Sequence, residues 1–158
     1  GRLLPFALGG TSRTESVSNG LKSFKNMALN KTDKILIHDA ARPFITQDLI
    51  ARLFSELETA EAVFPKVPIS DALWYKSKNS FSKGPTRDLL FRAQTPQGFY
   101  FEQIKKLYKD NKETHLDDIS IAQSHKLKIS GILGDPINIK LTTPEDLTFA
   151  EKVSKIWM

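Results

Sequence analysis

Short apolar runs alternate with stretches of helical periodicity along this chain, and that alternation restricts its fold most, because it is the pattern of an α/β domain. KILIH, residues 34–38, reads as a buried strand, and Thr46 follows as the N-cap of a helix turning Leu49, Ile50, Leu53, Phe54 and Leu57 inward. Upstream, Leu3 to Leu8 reads as a strand ending at Gly9 and Gly10, with a helix from Glu15 placing Val17, Leu21, Phe24 and Ala28 on one face. Ala62 to Val67 is a third strand. A helix is expected after Gly98, to about Lys109, an acidic-capped one from near Asp117, and strands at Leu127 to Leu133 and Ile137 to Leu141. The last helix has Thr143 as N-cap, Pro144 in its first position, and Glu145 and Asp146 at the positive end of its dipole.

Residues 69–92 leave this rhythm. A Ser, Lys, Asn and Gly cluster, KSKNSFSKG, separates two aromatic and aliphatic stretches, which predicts a projecting β-hairpin with a solvated tip. No internal repeat is visible, and the 158 residues are expected to form one domain that includes the hairpin.

The formal net charge of +5 favours acidic partners such as phosphate esters, although a modest charge also describes an ordinary basic surface. With no cysteine, thiolate nucleophiles, disulfides and Cys-based zinc sites are excluded. His38, His115 and His125 lack ligand spacing, so a histidine metal site is not expected. No apolar run approaches the roughly 20 residues that span a bilayer, no membrane partner is expected, and a cytoplasmic location is. A nucleic-acid partner is not expected either, for want of a recognition-helix or aromatic-platform signature.

Several segments carry candidate chemistry. HDAARPF places Asp39, Ala40, Ala41, Arg42 and Pro43 directly after a strand, where ligands bind in open α/β sheets. Ala40 and Ala41 allow a close approach, Arg42 can meet a phosphate, and Asp39 can hold Mg²⁺ or a hydroxyl; equally, Asp39 and Arg42 can pair with each other. GGTSRTES, residues 9–16, suits anion contacts through its glycines and Arg13, or simple helix capping by its hydroxyls. Lys140, in an apolar stretch, either reaches the surface or faces a bound anion. Asp117 and Asp118 form a carboxylate pair at a helix start, a position that more often complements the dipole than binds a metal.

Taken in order, GGTSRTESVSNGL, HDAARPF, QTPQGF and NIKLTTPEDL resemble the 2-C-methyl-D-erythritol 4-phosphate cytidylyltransferases, over a span from Leu4 to about Lys152. The resemblance implies a Rossmann-like, mostly parallel sheet with the hairpin as a dimerisation arm, and hence a homodimer. It also implies transfer of CMP from CTP to a methylerythritol phosphate, with Mg²⁺ or another divalent cation. Gly10 and Ser16 would lie against the cytidine, and Asp39, Ala40 and Arg42 would line the nucleotide and metal region. Thr95 and Lys140 would face the sugar phosphate, and Arg87, from the arm, would reach the neighbouring subunit's phosphate. The ribitol 5-phosphate cytidylyltransferases are a sister group sharing much of this frame, and a non-catalytic relative keeping only the arm's dimerisation role is the alternative of another class.

Two departures stand against that pattern. Members of the family begin with a strand and a glycine-rich loop bearing an Arg and a Lys, which these residues do not include, so the 158 residues alone are expected to be inactive. Ala72, in SDALWYK, stands where many relatives have a threonine bonded to the sugar phosphate, which removes a bond of about 0.5–1.5 kcal/mol. The DALW and RAQTPQGF wording is similar to enzymes fused to a cyclodiphosphate synthase, and Met158 fits either a true end or a cut before such a domain.

Overall fold

The computed structural model describes residues 3–4, 6–110 and 115–157; Gly1 and Met158, which bear on the chain ends, lie outside them. The sheet forms around β2, Ala62–Pro68. Along one of its edges run β5, Phe91–Ala93, and β6, Gln97–Tyr100, both antiparallel to it, and β1, Lys34–Ile37, pairs antiparallel with β6. On its other edge β7, Ile129–Leu133, runs parallel, with Ala62 opposite Ile129. β5 and β6 thus behave as one strand interrupted at Gln94, Thr95 and Pro96, and the Thr95–Pro96 peptide there is cis.

The expected mostly parallel direction holds among the described residues: β2 and β7 are parallel neighbours, β1 runs the same way because both it and β2 are antiparallel to β6, and only the line of β5 and β6 runs against them. The reason is connectivity. β2 returns to β5 through a hairpin, which reverses direction, whereas β7 is reached through two helices, and a crossover of that kind restores it. Those helices are α3, Phe101–Asp110, and α4, Asp118–Ser124.

Helices cover both faces, because alternate residues of each strand point to opposite sides. Ile35 and Ile37 of β1 pack with α3, α4 and α1, Arg13–Ser23, around Leu21, Phe99, Ile104 and Ile121. Leu36 and Val63 face the other way, toward Leu49, Leu53 and Leu57 of α2, Gln47–Glu56, and its C-cap. Each of those three leucines is fully buried, a gain of about 1.5–3 kcal/mol apiece. Thr46 caps α2 as expected, its hydroxyl accepting from Leu49 N at 3.1 Å, while Phe54 lies at the helix edge and is 36% exposed.

Three further expectations are corrected. Residues 3–4 and 6–10 form no strand, and Leu3, Phe6 and Leu8 stand exposed, because no described strand lies beside them to complete a hydrogen-bond ladder. Ile137 to Leu141 is an irregular segment; its bonds go to side chains and to scattered carbonyls, Asn138 N donating to Asp135 O, Ile139 N to Ile137 O and Leu141 N to Ala41 O at 2.8 Å. Ala28 is past α1, which ends in a short 3₁₀ turn at Phe24–Asn26. The last helix, α5, spans Pro144–Trp157, with Thr143 Oγ1 accepting from Asp146 N.

Between β2 and β5, β3 (Trp74–Lys76) and β4 (Phe81–Lys83) make a separate antiparallel hairpin. Its Trp74, Tyr75 and Phe81 are exposed. No helix among the described residues is long and apolar enough to cross a membrane.

Candidate active site

β1 ends at Ile37, opposite Gln97, so His38 and Asp39 emerge beside the interruption between β5 and β6. Asp39 N donates to Thr95 Oγ1 at 3.0 Å, and that hydroxyl also meets His38 Nδ1 at 3.1 Å. His38 Nε2 closes the loop against Arg42 O at 2.9 Å. Thr95 is buried, and its hydroxyl bonds to this loop.

Three cations converge on Asp39. Lys140 Nζ lies 3.0 Å from Oδ2, Arg42 Nε 3.9 Å from the same oxygen, and Arg13 Nε 3.7 Å from Oδ1. Burial pushes the Asp39 carboxyl up, but the hydrogen bond and charge of Lys140 and the charges of Arg13 and Arg42 outweigh it and hold the group below the usual carboxylate range. Arg42 is pushed down by burial and by neighbouring Arg92, with Asp39 opposing.

Asn138 holds the opposite wall. Its side-chain amide donates to Thr95 O at 2.8 Å, and its own carbonyl accepts from Arg42 Nη1 at 2.7 Å and Gln94 Nε2 at 3.0 Å. Gln94 also accepts from Asp135 N, so the segment that delivers Lys140 is pinned to the sheet on both sides. The resulting cleft, about 260 Å³, is lined by Arg42, Arg92, Gln94, Lys140, Thr142 and Asp146, so that three cations face one carboxylate.

Gly10 and Ser16 meet each other: Gly10 N donates to Ser16 Oγ at 2.9 Å, and Ser16 Oγ donates to Ser12 O. Ala40 and Ala41 lie in the turn between Asp39 and Arg42, where Arg42 N donates to Asp39 O at 3.0 Å. Arg87 and Ala72 are elsewhere. They line a pocket of about 310 Å³ at the base of the hairpin, where the Arg87 guanidinium donates to Ser70 O. Within this chain the structure brings Asp39, Arg42 and Lys140 together, and leaves Arg87 and Ala72 in another cleft.

The expectation of Asp39 as a metal ligand does not fit this donor set. Both of its oxygens face cations, and among the described residues no three His, Asp or Glu side chains gather to hold an ion. Sequence reasoning named a second carboxylate, Asp118, but missed its partner. Asp118 is fully buried and takes Arg13 on both oxygens, at 3.0 and 2.6 Å, together with the Tyr108 hydroxyl. The Asp118 bond and charge raise Arg13, despite burial, and burial with the Asp118 charge raises Tyr108, so one stays charged and the other keeps its proton to donate. No local pattern reveals this pair, because Arg13 and Asp118 are brought together only by the tertiary fold.

The family profile described as 2-C-methyl-D-erythritol 4-phosphate cytidylyltransferase matches residues 4–155. A protein of that name from Roseobacter denitrificans is 41% identical over 147 residues, which cover 93% of this chain and 65% of the relative. A bifunctional enzyme IspD/IspF from a Ruegeria species is 37% identical over 155 residues, 98% of this chain and 40% of the relative. The chain thus spans less than two thirds of these relatives. The crystal structure of the cytidylyltransferase from Thermus thermophilus superposes with a TM-score of 0.83 at 26% identity, over 93% of this chain and 71% of that one.

Proposed function

The chain belongs to the 2-C-methyl-D-erythritol 4-phosphate cytidylyltransferase family, and on that premise we propose that it serves an enzyme transferring CMP from CTP to 2-C-methyl-D-erythritol 4-phosphate, in non-mevalonate isoprenoid synthesis. The observation that carries this reading is the cation cluster: Lys140 and Arg42 converge on the Asp39 carboxylate, and both line a cleft with Arg92. A phosphate oxygen of the acceptor attacks the α-phosphorus of CTP. The new O–P bond forms as the bond to the β-phosphate oxygen breaks, and pyrophosphate leaves with that electron pair. No covalent enzyme intermediate is needed, so positioning and charge carry catalysis.

Lys140, 45% exposed and pointed by Asp39, meets the acceptor phosphate in this proposal, and Arg42 supports it from behind. Gly10 and Ser16 face the cytidine, and Ala40 leaves room for the nucleotide. Arg87 of a second copy supplies another cation, and Ala72 beside it adds no polar contact. The exposed Trp74, Tyr75 and Phe81 of the hairpin support a homodimer through this arm, since such rings are what an interface core buries. Mg²⁺ or another divalent ion belongs here only as a companion of the CTP phosphates, and a cytoplasmic location follows from the use of CTP.

The test is product identification. The complete gene product, given CTP and a panel of polyol phosphates, is expected to release pyrophosphate and form the CDP-alcohol fastest with methylerythritol phosphate. A preference for ribitol 5-phosphate would move it to the sister group, and no nucleotidyl transfer at all would leave a non-catalytic role for the arm.

A further inference from the structure

Burying a carboxylate costs more than its ion pair returns in many proteins, and apolar residues of similar volume often do as well or better for stability. Asp118 is nonetheless fully buried, and its position is set from two sides: Gln97 Oε1 accepts from both Asp118 N and Ile119 N at 3.0 Å, and Tyr108 donates to its side chain. Held in this way, Asp118 takes the two terminal nitrogens of Arg13 in a forked pair, which fixes the plane of the guanidinium. The remaining edge, Nε, is turned toward Asp39 Oδ1 at 3.7 Å. The two oxygens of Asp39 are thereby divided, one toward Arg13 and the other toward Lys140 and Arg42.

We propose that Arg13 is a positioning residue of this site: anchored by Asp118 and Tyr108, it orients the Asp39 carboxylate so that Oδ2 holds Lys140 in place. Arg13 acts through Asp39 and touches no substrate. Its neighbours explain why an arginine is required, since a lysine ammonium has no planar fork with which to engage Asp118 on two nitrogens while offering a third to Asp39. The kinetic part of the inference rests on the reading of the site as a cytidylyltransferase centre; the geometric part does not.

The discriminating variant is R13M/Y108F/D118L in the complete gene product, which removes the buried charges and the hydroxyl together. It is expected to unfold at or above the wild-type temperature, yet to show the Asp39–Lys140 pair separated in its crystal structure. Turnover is expected to fall about tenfold or more, as a misplacement near 1 Å produces, with little change in KM for CTP. R13K, which leaves Asp118 and Tyr108 intact, is expected to separate the same pair and to lose turnover to a smaller degree, and it decides the matter should the triple variant not fold. An Asp39–Lys140 pair unmoved in R13K or in the folded triple variant overturns the proposal, as does full turnover with the pair displaced. If the wild-type protein transfers no CMP, the functional reading fails separately and the crystal structures alone decide whether Arg13 orients Asp39.

Discussion

Lys140 Nζ lies 3.0 Å from Asp39 Oδ2, a pairing that ties the irregular segment before α5 to the carboxyl end of β1. Neither residue is held by its own element alone. Lys140 arrives on a stretch pinned by Asn138 and Gln94, and Asp39 is fixed by its backbone bond to Thr95. The cluster is therefore a tertiary object, and its members should fail together.

Replacing Lys140 by Gln removes the cation nearest to Asp39. In steady-state assays of the complete gene product, turnover is expected to drop by about 10²–10³, the usual cost of losing one group that stabilises developing charge. K140R is expected to recover only part of it, because a guanidinium does not occupy the place of an ammonium. Undiminished turnover in K140Q would remove Lys140 from the proposed mechanism.

Asp39 gives a pH signature of stability. Its folded carboxyl is held below its ordinary value, so the stability it contributes is present above the unfolded value, about 3.9, and is lost as pH falls through the lower folded value. Urea midpoints measured from neutral pH down to about 3 are expected to fall more steeply for wild type than for D39N in the acid range. Parallel curves below about pH 4 would show that the carboxylate is not stabilised in the fold.

Gly84 closes the hairpin, its N–H donating to Leu73 O at 2.8 Å. A Cβ at this position would collide with that same carbonyl, so G84A must shift the backbone at the base of β3 and β4. Amide exchange is expected to accelerate across Trp74–Lys76 and Phe81–Lys83 while α2 keeps its protection. Unchanged hairpin protection would contradict the close approach.

Asp117 caps α4, Oδ1 accepting from Ser120 N at 2.9 Å, and its other oxygen accepts from Gln97 at 3.2 Å. D117A is expected to lose about 1 kcal/mol in chemical denaturation, within the range of lost N-caps. A loss near zero would mean that water replaces the cap at no cost.

What was legible in the sequence follows from the range over which each signal acts. Thr46, Thr143 and Asp117 are caps written in a few adjacent residues, and KILIH with its following loop placed Asp39 and Arg42 at a strand end, where the structure has them. Lys140 was singled out as a cation needing a reason; the strand assigned around it was not found, because the backbone there bonds to side chains and scattered carbonyls rather than to a ladder. Asp118 was read as a dipole partner, and nothing local indicates that Arg13 lies across from it. The one reversed line, β5 and β6, was not legible, since its direction depends on how the chain returns from the hairpin.

The most direct measurement is complementation between subunits. R87Q and K140Q, each expected to be inactive alone, are to be co-expressed with different tags and assayed as a purified mixed dimer. If Arg87 of one copy and Lys140 of the other serve one site, the mixed dimer carries one intact site of two and recovers about half of wild-type turnover. A mixed dimer as inactive as its parents would contradict a shared site and place both cations in the service of a single chain.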